Sequence, residues 1–163
     1  ADLYILILRN IVSFCSICGY DVDSKYRGFN VKNKLNDSTT IHWHGMHLPA
    51  VMDGGPHQVI PPGALWQPYW KVTNNASTYW YHPHLHEMTM EHISKGIGGL
   101  IIVRDSIESS LNLPRTYGLD DIPMVLTDRD INSSNQFDLV LTAKLSDMFN
   151  IGLNGTVCNI KTQ

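Results

Sequence analysis

Long hydrophobic runs are missing from this sequence. The most apolar stretch, Leu3 to Leu8, is followed at once by Arg9 and Asn10, so it is too short and too interrupted for a transmembrane helix. It also has neither the basic start nor the small-residue cleavage site of a secretory signal. We therefore predict a buried strand here, and we expect no membrane among the partners.

An excess of positive charge is missing as well. Charged residues make up 17% of the 163 residues, and the formal net charge is −3 with a pI near 6.2. Because binding to nucleic acid or to an anionic surface depends on basic patches or tails, we expect no nucleic-acid partner. The length and the hydrophobic content of 43% suit one globular domain, with room for part of another.

Cysteine is scarce, with only Cys15, Cys18 and Cys158 present. The odd number argues against a disulfide framework. Cys15 and Cys18 have the C-x-x-C spacing of a redox pair or of half a zinc site, but the sequence has no second such pair and no thioredoxin-like βαβ pattern nearby. We interpret all three as structural or incidental cysteines.

Histidine, in contrast, is abundant: all 8 histidines lie between residues 42 and 92. Two His-x-His pairs stand out, His42 with His44 and His82 with His84. In a strand, alternate side chains share one face roughly 6–7 Å apart, so each pair directs two imidazoles to one place, and neighbouring strands would gather four. A set of imidazole nitrogens favours copper, zinc, iron or nickel over magnesium or calcium. The alternative is that these are ordinary surface or core histidines, but the repetition of the pair favours a metal site.

Short strands separated by turns are predicted along most of the chain. The predicted strands are 29–35, 39–44, 66–72, 78–82, 100–103 and 122–128, with loop over 48–63, a short helix over 87–95 and a polar, linker-like segment over 105–121. The segment 137–145 is compatible with either a strand or a short helix. This pattern predicts a β-sandwich or barrel. The tryptophans are predicted to pack in its core; they are Trp43, Trp66, Trp70 and Trp80.

Five motifs that follow one another along the chain indicate a protein family. They are His42-Trp43-His44-Gly45, Met52-Asp53-Gly54-Gly55-Pro56, Ile60-Pro61-Pro62-Gly63, Tyr79-Trp80-Tyr81-His82-Pro83-His84 and Gly96-Ile97-Gly98-Gly99-Leu100-Ile101-Ile102-Val103. In order and spacing they resemble the first cupredoxin domain of the multicopper oxidases, the family of the laccases and bacterial cuprous oxidases. The resemblance covers about residues 30–130 and is poor over 1–28. It implies an all-β, cupredoxin-like Greek-key β-sandwich or barrel over residues 1–127, with 128–163 as linker and the start of a truncated second domain.

The resemblance also implies roles for individual residues. His42 would bind the type 2 copper of a trinuclear cluster, and His44, His82 and His84 would bind its type 3 copper pair. Asp53 matches an acid of the family that helps to move protons to bound oxygen, although a plain turn residue is an equal alternative. The other histidines are expected beside the site or on the surface; they are His47, His57, His86 and His92.

The implied activity is that of a laccase-like oxidase, which couples oxidation of phenols or metal ions to reduction of O2 to water, in a secreted or periplasmic protein. However, the sequence has no His-Cys-His motif and no histidine after His92, so the ligands of a type 1 copper are absent. We therefore expect the remaining cupredoxin domains, or another chain, as partners. Two alternatives stay open: a non-catalytic copper-binding module that lacks a type 1 site, and a zinc hydrolase with an all-histidine site.

Overall fold

The computed structural model describes residues 2–6, 15–21, 26–128, 132–136, 150–153 and 156–159, and the predicted segment 137–145 lies outside them. The strands and helices are β1 (Asp2–Leu6), β2 (Cys15–Asp21), β3 (Tyr26–Asn33), β4 (His42–His44), β5 (Leu65–Trp66), β6 (Tyr69–Lys71), β7 (Ser77–His82), α1 (Thr89–Ser94), β8 (Gly99–Arg104), α2 (Ser106–Ser109), β9 (Leu126–Asp128), β10 (Asn150–Leu153) and β11 (Thr156–Asn159). In the part of the chain so described, no helix has the length and apolar character needed to cross a membrane.

Antiparallel sheets dominate the structure, which confirms the predicted all-β class. One sheet has the order β1-β8-β7-β4, and a second joins β2, β3 and β5, with β6 also paired to β3. A further sheet has the order β11-β10-β9. The buried side chains of β3 and β6 on one sheet and of β4, β7 and β8 on the other form a single hydrophobic cluster. The first two sheets therefore enclose the core of a sandwich.

Aromatic rings fill the centre of this core. Trp43 is fully buried, and its ring centroid lies 4.8 Å from that of Phe29 and 5.2 Å from that of Trp70. Trp66 packs against the cluster from its edge. The prediction for Trp80 was wrong: this side chain is 38% exposed, because it lies one residue away from the buried Tyr81 and so points to the other face of β7.

Several predicted boundaries moved for local reasons. The strand predicted at 66–72 is split into β5 and β6 around the buried Pro68, whose carbonyl accepts a hydrogen bond from the backbone of Phe29. Of the strand predicted at 122–128, only β9 forms. The polar segment predicted as a linker contains α2, because Asp105 caps that helix by accepting a hydrogen bond from the Glu108 amide at 2.8 Å. The helix predicted at 87–95 is confirmed as α1.

Candidate metal centre

The register between β4 and β7 brings the two predicted histidine strands together. The strands are antiparallel, with His42 opposite His82 and His44 opposite Trp80. Since side chains alternate along a strand, these four side chains share one face of the sheet, opposite the buried Trp43 and Tyr81. The strand β4 is followed by Gly45, whose φ of 80° is in the left-handed region that glycine adopts without strain.

Three of the four predicted ligands form a compact set. One nitrogen from each of His42, His44 and His82 lies within 4.8 Å of the others. The shortest separation is 3.1 Å, between Nδ1 of His44 and Nε2 of His82. A metal ion binds imidazole nitrogens at roughly 2.0–2.1 Å. If the nitrogen–metal–nitrogen angle lies between the square-planar and the tetrahedral value, the two nitrogens are roughly 2.9–3.4 Å apart. The pair therefore fits a single metal ion.

The fourth predicted ligand, His84, lies at the margin of this set. Its ring centroid is 5.3 Å from that of His42 and 5.9 Å from that of His82, and its side chain is exposed. The strand β7 ends at His82 and is followed by the buried Pro83, so His84 is not held by the strand ladder. It faces the other histidines from just beyond the end of β7.

Hydrogen bonds at the outer ring nitrogens orient two of the imidazoles. Nδ1 of His82 is 2.8 Å from the Pro83 carbonyl, and Nδ1 of His42 is 3.1 Å from the Asp53 carbonyl. A carbonyl only accepts, so each Nδ1 must carry the proton that it donates, and each Nε2 is left unprotonated. That is the tautomer in which Nε2 can bind a metal.

Asp53 contacts the site with its side chain as well. Its Oδ1 lies 3.2 Å from Nδ1 of His42, and the carboxylate is 38% exposed. Its backbone also ends the 3-10 turn Ala50–Met52. A carboxylate in this position reaches both solvent and a candidate ligand.

Gly54 makes the close approach of Asp53 possible. Its φ is 72°, and a Cβ at this position would lie 1.7 Å from the carbonyl oxygen of Ile41. Any side chain here would collide with the backbone that leads into β4. The sequence pattern Asp53-Gly54 therefore lets the loop lie directly against the histidine strand.

Burial favours the neutral form of the central imidazole. The pKa of His82 lies below its usual value, chiefly because the ring is buried, and the neighbouring imidazoles of His42, His44 and His84 lower it further. The hydrogen bond to Pro83 opposes the shift. Because only neutral imidazole binds a metal, this environment keeps His82 in its binding form.

Trp80 also lies at the site, where the sequence pattern had not placed it. Its ring stacks on His82 with the centroids 4.2 Å apart, and it lies 5.1 Å from the ring of His44. The signal was present in the sequence, because Trp80 precedes His82 by two residues and so shares its face. The stack covers one side of the 3.1 Å nitrogen pair.

The remaining histidines lie apart from this set. The side chain of His86 is 83% exposed, and His47 and His57 are exposed as well. His92 is buried beneath the loop before β4, where its Nδ1 is 3.1 Å from Oγ1 of Thr39.

The fold and this cluster of imidazoles together define a cupredoxin-like domain with a candidate metal centre, and the comparisons with known proteins agree. A family model described as multicopper oxidase matches residues 27–108. The "Multicopper oxidase mco" of Staphylococcus epidermidis is 38% identical over 97 residues, which are 60% of this chain and 21% of that protein. The cell division protein FtsP of Escherichia coli is 30% identical over 112 residues, which are 66% of this chain and 24% of that protein.

A solved structure is similar as well. The bacterial laccase-like multicopper oxidase CueO from the lignin-degrading bacterium Ochrobactrum sp. superposes with a TM-score of 0.72 at 38% identity, over 82% of this chain and 31% of that one. The chain thus spans between a fifth and a third of the length of these relatives. The protein belongs to the multicopper oxidase family, and copper is the metal of that family.

Proposed function

We propose that this chain provides four imidazoles to the trinuclear copper site of a laccase-like multicopper oxidase. His42 would bind the type 2 copper, and His44, His82 and His84 would bind the type 3 pair. The observation that carries the proposal is the 3.1 Å separation between the nitrogens of His44 and His82, which suits a single copper ion.

Each residue would have a distinct task. Bound copper would supply the one-electron redox chemistry that passes electrons from the substrate to O2. The hydrogen bonds at Nδ1 of His42 and His82 hold these rings in the binding tautomer. Oδ1 of Asp53, open to solvent and 3.2 Å from His42, is placed to take up a proton and release it towards the site, where reduction of O2 to water consumes protons.

The reducing substrate is proposed to be a phenol or a metal ion. The Ochrobactrum relative is described as having oxidase activity towards lignin model compounds and lignosulfonate, which supports a phenolic substrate. Electron entry requires a type 1 copper, and this sequence has no His-Cys-His motif. The remaining ligands would come from further cupredoxin domains or another chain, in a secreted or periplasmic protein.

A second candidate is a copper-binding module without oxidase activity. It is favoured by the similarity to a protein that bears the name of a cell division protein. Oxidation of a phenolic dye separates the two functions. Turnover in the presence of a partner that supplies a type 1 site supports the oxidase, and copper binding without turnover supports the module.

Metal analysis tests the site that both candidates share. After incubation with Cu(II) and dialysis, we expect the 163-residue chain to retain copper and a His44→Ala/His84→Ala variant to lose most of it. A His86→Ala variant is the matched control, because this exposed imidazole follows the second pair by two residues. Equal retention in all three proteins contradicts the proposed site.

A further inference from the structure

Thr40 is joined to His84 across the sheet, at the point where the strand ladder stops. Continuing the register of β4 and β7 by two residues beyond His42 and His82 places Thr40 opposite His84. The amide of His84 donates a hydrogen bond to Oγ1 of Thr40, with the two atoms 2.6 Å apart. A side-chain oxygen thus takes the place of the backbone carbonyl that a continued ladder would use.

The surroundings of Thr40 explain why its side-chain oxygen, and not its backbone carbonyl, accepts this hydrogen bond. Pro83 has no N–H to donate to a ladder, so β7 cannot continue regularly past His82. The carbonyl of Thr40 accepts a hydrogen bond from Oγ1 of Thr39 at 3.3 Å. Thr40 itself is fully buried, so its hydroxyl has a fixed position from which to hold the His84 amide.

We propose that Thr40 is a positioning residue for His84, and this inference rests on the proposed four-histidine copper site. Thr40 precedes His42 by two residues, in the segment that leads into β4. Its hydroxyl ties the backbone of an exposed, off-strand histidine to the strand that carries His42 and His44. Without that oxygen, the His84 amide loses its acceptor, and the imidazole loses its fixed distance from the other three.

Copper affinity measured on the 163-residue chain tests the role of Thr40. Thr40→Val keeps the shape of the side chain and removes the oxygen, whereas Thr40→Ser keeps the oxygen. We expect Thr40→Val to weaken Cu(II) binding, in competition with a chelator, by about 10- to 100-fold, and Thr40→Ser to bind nearly as tightly as the parent. Thr39→Val is the matched control: it removes a neighbouring buried hydroxyl that contacts His92 and the Thr40 carbonyl but not His84.

A double-mutant cycle distinguishes positioning from general damage to the fold. If Thr40 acts through His84, Thr40→Val causes no further loss of affinity in a His84→Ala background. Unchanged affinity in Thr40→Val, or an equal loss in the His84→Ala background, overturns the inference while the copper site stands.

The hydrogen bond between Thr40 and His84 can also be tested in the copper-free protein, independently of metal binding. In a 15N-labelled sample, the His84 amide proton should shift upfield in Thr40→Val and keep its position in Thr39→Val. An unmoved amide in Thr40→Val overturns the inference. If the parent chain binds no copper, the proposed function fails, and this amide shift alone still decides whether Thr40 holds His84.

Discussion

The two faces of β4 have opposite characters. On one face, Trp43 is fully buried among aromatic rings, while on the other His42 and His44 reach towards solvent and the imidazole of His82. The same contrast holds on β7, where Tyr81 is buried and Trp80 is 38% exposed. The candidate site therefore lies at the surface and is held in place by the core directly behind it.

Trp43→Ala should break this arrangement most strongly. Loss of a fully buried tryptophan costs about 3–5 kcal/mol of unfolding free energy, and it also loosens the strand that carries His42 and His44. Urea unfolding of the copper-free chain measures the loss. Trp80→Ala is the contrasting variant on the histidine face, with an expected cost of about 1 kcal/mol or less. Equal losses for the two variants contradict the division between core and site faces.

Gly54→Ala should damage the link between the loop and the histidine strand. The added Cβ meets the Ile41 carbonyl, and the positive φ adds strain, so we expect a loss of at least about 1–3 kcal/mol together with weaker copper binding. Gly55→Ala is the control, because a Cβ there has no atom within 4 Å among the described surroundings. Thermal unfolding and copper titration of both variants check this, and a Gly54→Ala protein as stable as Gly55→Ala would be evidence against the close approach.

A smaller effect on stability is expected when the pH is lowered, because of His92, a buried histidine outside the site. Burial lowers its pKa below 6.5; Lys95 lowers it further, while the carboxylates of Glu91 and Asp37 oppose the shift. Well above pH 6.5, His92 is neutral in the folded and in the unfolded chain. As the pH falls through 6.5, His92 of the unfolded chain is protonated while His92 of the folded chain stays neutral, so the folded state loses stability.

Replacing His92 measures how much this histidine contributes to the pH dependence of the stability. His92→Gln should lose less stability than the parent between pH 7.5 and 5.5, measured as the change in Tm. An identical loss in both proteins would show that His92 is not held neutral in the fold.

The sequence was sufficient to predict most of the strands between residues 29 and 104, the all-β class and the two histidine pairs, since these depend on local alternation. It was not sufficient for contacts that depend on register. Thr40 and Trp80 each lie two residues before a histidine of a pair, yet their partners became evident only once His42 was known to lie opposite His82. The division of the chain at residues 127 and 128 stays a prediction.

The other differences between the predictions from sequence and the structure result from packing and from local hydrogen bonds. Trp80 was expected in the core together with the other tryptophans, but its strand position puts it on the histidine face, where it stacks on His82. Asp53 reaches His42 because Gly54 lacks a side chain, a close approach that the pattern Asp-Gly-Gly alone does not specify. The short helix α2 depended on the cap at Asp105, which also binds the distant amide of Ala76.

The most direct test is a crystal structure of the 163-residue chain soaked with Cu(II), with data collected at the copper absorption edge. We predict an anomalous peak between Nδ1 of His44 and Nε2 of His82, at about 2.0 Å from each nitrogen. Copper found only at exposed imidazoles such as His86 or His57, with no peak between His44 and His82, would contradict the account.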